Sequence, residues 1–330
     1  MSLLLRRTML AGLLATWVAG AAAARSIERV EPPFWWQGFS DTSLQVMVYG
    51  QDVAGLQVRT DHPGISVSRL ETTANPNYLF VYLQIDPSAQ TGDFDIVFEG
   101  GAVPLTHRYS LRQKDPDAGH AAGFGPDDAI YLITPDRFAN GDSTNDNVAG
   151  MGDPASRSKH GGRHGGDIAG LQNHLDYIAD MGFTAVWLNP VLENRMPAYS
   201  YHGYATTDYY RVDPRYGSNA DYRSFVAAAR DKGIGVIMDM IANHCGLHHW
   251  WMADLPADDW INHGGNFVQT SHERTAVQDP YAAASDVTAF VDGWFVPSMP
   301  DLNQRNPLLA DYLIQNSLWW IEYLGLSGIR

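Results

Sequence analysis

The chain has 330 residues, with 37 acidic against 22 basic side chains and a formal charge of −15. No polybasic run interrupts that acidity, which argues against a face built to track nucleic-acid phosphates. The length holds a large core and roughly two domains at ~150 residues each, although an α/β barrel fills more in one unit.

Arg6-Arg7, the apolar run 9–18 and the Ala-rich stretch 19–24 together read as a secretory signal cleaved after Ala24. The apolar run is too short to span a bilayer. A periplasmic or secreted protein with no membrane attachment after cleavage is therefore expected. Cys245 is the single cysteine, so an intramolecular disulfide is excluded. Over 25–113, Leu44, Val46 and Val48 alternate with polar neighbours, as do Leu79, Val81 and Leu83, and Phe94, Ile96 and Phe98. Turn signals at 61–64, 75–77 and 99–101 separate them, which predicts an all-β, immunoglobulin-like sandwich. The segment 114–126, rich in Asp, Pro, Gly and Ala, is a linker.

From 127 the rhythm becomes strand then helix. Strands are predicted at 129–134, 184–188 and 234–238, helices at 168–181, 220–232 and 308–324, and a further strand begins at 326. This alternation implies parallel βαβ units in a barrel or a doubly wound sheet. The irregular stretch 245–307 is too long for a loop and predicts an inserted subdomain or lid.

Three of these strands end in polar or ring-bearing residues: Pro135-Asp136-Arg137-Phe138, Asn189-Pro190, and Asp239 with Asn243-His244. An apolar strand that stops in carboxylate, amide and imidazole delivers those groups to the end of a sheet where such folds place chemistry. Between the second and third strands, Tyr199, Tyr201, Tyr204, Tyr209, Tyr210 and Tyr216 lie among polar residues, so several are expected to line a cleft. Rings stacked on the apolar faces of sugars would use such a surplus, with core packing as the default. The segment 140–146 crowds oxygen-bearing side chains around Gly141, and Gly165-Gly166-Asp167 follows; Ca²⁺ accepts such hard, flexible cages. The histidines His160, His164, His248, His249 and His263 lack metal-ligand spacing and are read as loop residues.

Gly182-Phe183-Thr184-Ala185-Val186-Trp187-Leu188-Asn189-Pro190, Tyr201-His202-Gly203-Tyr204, Asp239-x-x-x-Asn243-His244 and Met299-Pro300-Asp301-Leu302-Asn303 resemble, in order and spacing, the signature regions of glycoside hydrolase family 13, the α-amylase family. Val30-Glu31-Pro32-Pro33-Phe34-Trp35-Trp36 and the strands after it resemble the N-terminal domain of its neopullulanase and cyclomaltodextrinase group. The resemblance implies the first half of a TIM (β/α)8 barrel behind a sandwich, and retaining cleavage of α-1,4 bonds in cyclodextrins, pullulan, starch or maltooligosaccharides. It implies that Tyr204 stacks on the glucose beside the scissile bond and that His202 and His244 bind its hydroxyls. Asp239 would support the nucleophile-bearing strand and Arg330 orient the nucleophile. The calcium loop of that group carries over onto Asn140, Asp142, Asn145, Asp146, the Gly165 carbonyl and Asp167. A homodimer is a further implication.

The family's nucleophile lies two positions past the residue matched by Arg330, and its other two carboxylates lie further on. Retaining hydrolysis needs a carboxylate pair roughly 5 Å apart across the bond. Glu193, Glu273 and Glu322 do not match those motifs. The sequence is therefore expected to be part of a longer protein and inactive by itself. The rival readings are a non-catalytic glucan-binding protein and a glucanotransferase of the same family.

Overall fold

The computed structural model describes residues 25–101, 103–116 and 123–330. The signal segment 1–24 and the centre of the linker, 117–122, lie outside the described residues. The N-terminal strands are β1 (Arg29–Glu31), β2 (Trp35–Trp36), β3 (Ser43–Tyr49), β4 (Gln57–Thr60), β5 (Ile65–Thr72), β6 (Tyr78–Ile85), β7 (Gly92–Glu99) and β8 (Leu105–Arg112). They form two four-stranded sheets, ordered β1-β3-β6-β5 and β2-β8-β7-β4, a sandwich. Leu44, Val46 and Val48 register against Leu83, Val81 and Leu79, and all six are buried.

The simple in-and-out alternation fails on β6, where every residue except Gln84 is buried. Its second face packs on the rest of the protein. Tyr78 lies against Trp250 at 6.2 Å, Phe80 against Trp260 at 6.1 Å, and the Tyr82 hydroxyl meets Asp311 at 3.2 Å. A strand covered on both faces reads as a continuous apolar run, which YLFVYLQI is.

The second region follows as β9 (Ile130–Ile133), α1 (Pro135–Phe138), α2 (Ile168–Asn173), α3 (Leu175–Asp180), β10 (Ala185–Leu188), β11 (Leu192–Glu193), β12 (Asp208–Val212), α4 (Asn219–Asp231), β13 (Gly235–Met238), α5 (Thr275–Gln278), α6 (Ala284–Val291), α7 (Pro307–Leu324) and β14 (Gly328–Ile329). The strands β14-β13-β10-β9 form one parallel sheet with β9 and β14 at its edges. Ile130 and Leu132 on the β9 edge are 39% and 50% exposed.

The helix predicted over 168–181 is two helices meeting at His174, whose φ is −115° and whose Nδ1 bonds the Gly170 carbonyl at 2.7 Å. That local bond competes with the helical ladder and breaks it. Ser218 and Asp221 form a reciprocal capping box at the start of α4. Asn306 accepts from the Leu308 and Leu309 N–H groups at the start of α7, which ends at Gly325 with φ +70°. Trp319 and Trp320 on α7 are fully buried, and Trp319 packs against Phe34 and Trp36 of the sandwich. Much of the aromatic surplus is thus spent where the two regions meet. The segment between β13 and α7 holds short turns and helices, with no buried residue in α6. No helix among the described residues is long and apolar enough to cross a membrane.

Candidate active-site cleft

Parallel registration of β10, β13 and β14 brings Trp187, Asp239 and Arg330 to one end of the sheet. Asp239 is 1% exposed and accepts three bonds there, from Trp187 Nε1 at 3.0 Å, the Tyr204 hydroxyl at 2.9 Å and Arg330 Nη1 at 3.2 Å. The guanidinium also lies over the Trp187 ring at 4.8 Å. A buried carboxylate is tolerated only with such partners. Burial and the bond to Asp239 push the Tyr204 phenol up to about 12.

The neighbouring histidines are fixed by backbone contacts. His202 Nδ1 accepts from the Tyr204 N–H at 3.0 Å, so its neutral ring carries hydrogen on Nε2 and presents a donor. His244 Nε2 faces the Tyr204 carbonyl at 3.0 Å and must donate to it, while Nδ1 accepts from Asn243 at 3.2 Å. Both rings are held below the ordinary histidine range, chiefly by burial. Of the two expected sugar-binding imidazoles, His202 alone keeps an unpaired ring nitrogen; both nitrogens of His244 are engaged. Gly203 separates His202 from Tyr204 with φ +80°, and a Cβ there would lie 1.9 Å from the Pro190 carbonyl oxygen. No other residue fits that approach.

His202, Tyr204, residues 240–244 and Arg330 line one side of a cavity of about 710 Å³. Arg274, Phe295 and Met299 line the other, so the inserted segment is its far wall. Phe295 is 52% exposed, with His272 against its ring edge at 5.4 Å. Asp301 fastens that segment to the barrel by accepting from Asn243 at 3.1 Å and Asn262 at 2.8 Å, and burial pushes its carboxyl up to about 6. Trp187, Arg274 and Phe295 were given no role by sequence reasoning. Trp187 alone left a trace, as a lone indole in an aliphatic strand.

The tyrosine-rich stretch corrects one expectation. Tyr209, Tyr210 and Tyr216 are buried, Tyr201 lies beneath Arg137 at 4.0 Å, and Tyr199 is 63% exposed. Only Tyr204 among them lines the cleft. His249, read as a loop residue, is buried, with Trp251 at 4.1 Å between ring centres.

The six expected calcium residues gather around the start of α2 but do different work. Asp167 Oδ1 accepts from the Gly141 and Gly170 N–H groups at 2.9 and 2.6 Å, and Oδ2 from the Asp142 N–H and Asn145 at 2.8 and 3.3 Å. Asp142 is exposed and turned onto Thr144. Those two carboxylates spend oxygens on ordering the loop. Asn145 Oδ1, in contrast, is buried without a partner. A Cβ at Gly165 would meet Asp146 Oδ1 at 2.4 Å and Asn140 Nδ2 at 2.8 Å, so only glycine leaves that cradle open. Among the described residues no three His, Cys, Asp or Glu side chains converge as a metal group. Asn140 donates through Nδ2 to Asp146 Oδ1 at 2.7 Å, which leaves the Asn140 and Asn145 amide oxygens, the second Asp146 oxygen and the Gly165 carbonyl to fit a hard-cation cage.

Comparison with known proteins places both regions. Residues 132–330 match the family described as alpha amylase, catalytic domain, and residues 29–115 match cyclomaltodextrinase, N-terminal. A cyclomaltodextrinase of Thermoanaerobacter pseudethanolicus is 31% identical over 286 residues, covering 79% of this chain and 44% of that protein. Neopullulanase 2 of Thermoactinomyces vulgaris is 31% identical over 219 residues, covering 61% and 33%. The crystal structure of an Anoxybacillus α-amylase superposes with a TM-score of 0.51 at 33% identity, covering 62% of this chain and 40% of that one. The chain thus spans less than half the length of these relatives. It belongs to the alpha-amylase family of glycoside hydrolases and carries the cyclomaltodextrinase type of N-terminal domain.

Proposed function

We propose that this chain forms the sugar-holding part of an enzyme that cleaves α-1,4 glucosidic bonds in cyclodextrins, pullulan, starch or maltooligosaccharides with retention. The observation that carries the reading is the Asp239 knot, which fixes Tyr204, Trp187 and Arg330 at one cleft floor. A phenol face beside the free N–H of His202 suits a pyranose, which offers an apolar face and hydroxyl acceptors. Arg330 sits where it can hold a further carboxylate under the sugar ring, its guanidinium being a rigid fork of donors. Cleavage itself needs two carboxylates roughly 5 Å apart, one beneath the ring and one protonating the leaving oxygen. The relatives named cyclomaltodextrinase and neopullulanase support this substrate class. Residues 6–24 support export to the periplasm or beyond.

Purified 1–330 should bind maltoheptaose in calorimetry and release no reducing sugar from it, while the chain extended by its downstream coding sequence should hydrolyse it. Turnover by 1–330 itself, or no turnover by the extended protein, would refute this assignment.

Ca²⁺ bound by Asn140, Asn145, Asp146 and the Gly165 carbonyl would supply charge that ties the loop after α1 to the start of α2. Millimolar CaCl₂ should then raise the unfolding temperature by a few degrees, and Asn145→Ala should abolish the increment. An unfolding temperature indifferent to both Ca²⁺ and chelator would rule the cage out.

A further inference from the structure

The sandwich and the parallel-sheet region meet over two buried anions and one part-exposed cation, Arg29, whose side chain is 36% exposed. Arg29 on β1 donates through Nη1 to Glu31 Oε1 at 3.2 Å and to Asp208 Oδ2 on β12 at 3.0 Å. Tyr312 on α7 donates to Glu31 Oε2 at 2.7 Å. Glu31 is 6% exposed and Asp208 7%, and Arg29 is stacked over Trp250 at 4.7 Å. One guanidinium cannot neutralise two desolvated carboxylates. Burial, then the charge of Asp208, push the Glu31 carboxyl up to about 7. The other titratable groups facing Glu31 are the Tyr210 and Tyr78 phenols from β12 and β6, which burial keeps neutral. His249, which faces Arg29, is also kept neutral by burial.

The cluster is wired to the cleft. Asp208 is followed by Tyr209, whose hydroxyl faces the Ile241 and His244 carbonyls at 3.1 and 3.0 Å. The Tyr209 carbonyl is pinned by Asn316 and Trp320, each at 2.8 Å. Two residues before Asp208, the Thr206 carbonyl accepts from the Gly246 N–H at 2.7 Å. Asp208 is thereby linked to two of the contacts that hold the loop bearing His244, a loop that Asn243 also ties to Asp301 and Leu302.

We propose that Arg29 of the N-terminal domain is a positioning residue for the sugar cleft, acting through Asp208 and Tyr209, and that a proton on Glu31 tightens its hold. The sign follows from linkage. Glu31 binds its proton more readily in the folded protein than in the unfolded chain, so its contribution is present in mild acid and is lost as pH rises through about 7. The ligand arm of the test rests on the glucan-binding reading; the exchange arm does not.

Amide exchange of residues 241–246 should be compared at matched pH for wild type, Glu31→Gln and Asp208→Asn, at about pH 6 and about pH 8 on either side of the Glu31 transition. Wild type should lose roughly fivefold protection relative to Glu31→Gln at the upper pH and match it at the lower, within the usual range of coupling between sites. Asp208→Asn, which leaves one carboxylate per guanidinium, should move the step to lower pH. Maltoheptaose affinity should follow the same pattern, since contributions from His202, His244 and Asp301 are common to wild type and Glu31→Gln and cancel. A step of the same size in Glu31→Gln, or none in wild type, overturns the proposal. An exchange step that behaves as expected in a protein that never binds maltoheptaose upholds the clamp and refutes the glucan reading instead.

Discussion

Replacing Arg215 with alanine is expected to cost about 3–5 kcal/mol of folding stability, the usual penalty for stranding one partner of a buried pair. Arg215 and Asp213 are 1% and 0% exposed. The guanidinium donates to both Asp213 oxygens, at 2.9 and 2.7 Å, to the Gly152 carbonyl at 2.6 Å and to the Asn194 carbonyl at 2.7 Å. Four acceptors on three segments lose a donor at once, although Asp213 keeps the backbone N–H groups of residues 215 and 194. Desolvation works to raise the Asp213 carboxyl, but its bond to Arg215 and the charge of Arg163 win and hold it below the ordinary range. In the wild type that group contributes stability above the ordinary carboxylate value, and the contribution is lost as pH falls through the depressed one. In the variant the buried carboxylate keeps two backbone N–H donors and the charge of Arg163 but loses its guanidinium partner, so it binds its proton more readily than in the wild type. The deficit in urea denaturation should therefore be greatest at neutral pH and shrink in acid. Arg215→Lys should recover little, because an ammonium cannot reproduce the fork. A deficit under about 1 kcal/mol at neutral pH would show that the pair carries little of the stability assigned to it.

Asp239→Ala should remove glucan binding and cost about 3 kcal/mol, summing a lost charged acceptor and two orphaned donors. Arg330 is 55% exposed, so water compensates its charge and keeps the penalty below that for Arg215. Trp187 Nε1 and the Tyr204 hydroxyl are part-buried around the vacated carboxylate, so water replaces that acceptor less completely. Asp239→Asn keeps the volume and one acceptor, so it should retain most of the stability while weakening maltoheptaose binding. Calorimetric titration beside a urea melt separates these effects. Equal affinity in wild type and Asp239→Ala would refute the role of Asp239 in fixing the cleft floor.

The strand and helix rhythm of the second region was legible because each element has its own stop, such as Gly233 before β13 and Gly325 after α7. The grouping of Asp239, His202, Tyr204, His244 and Arg330 was legible through motif order, although Arg330 and Asp239 stand 91 positions apart. What escaped depended on contacts with no local signature. Tyr209 and Tyr210 look like surface tyrosines until α7 covers them, and Tyr216 until Arg163 stacks on it at 4.6 Å. His249 stands in an irregular, aromatic-flanked run and is enclosed with Trp251. The single turn that splits α2 from α3 hangs on one imidazole bond. Arg29 finds Asp208 across 179 positions, beyond the reach of any pattern in the chain.

The glycine between His202 and Tyr204 has a practical consequence for anyone redesigning the cleft. With the Pro190 carbonyl pressed against it, position 203 admits no library, and the imidazole and phenol on either side inherit that fixity. The opposite wall is built otherwise. Phe295 and Arg274 are exposed, and neighbouring α6 buries no residue of its own. Variation in which sugars the cleft admits should therefore be sought by randomising that wall, leaving the barrel side as an invariant template.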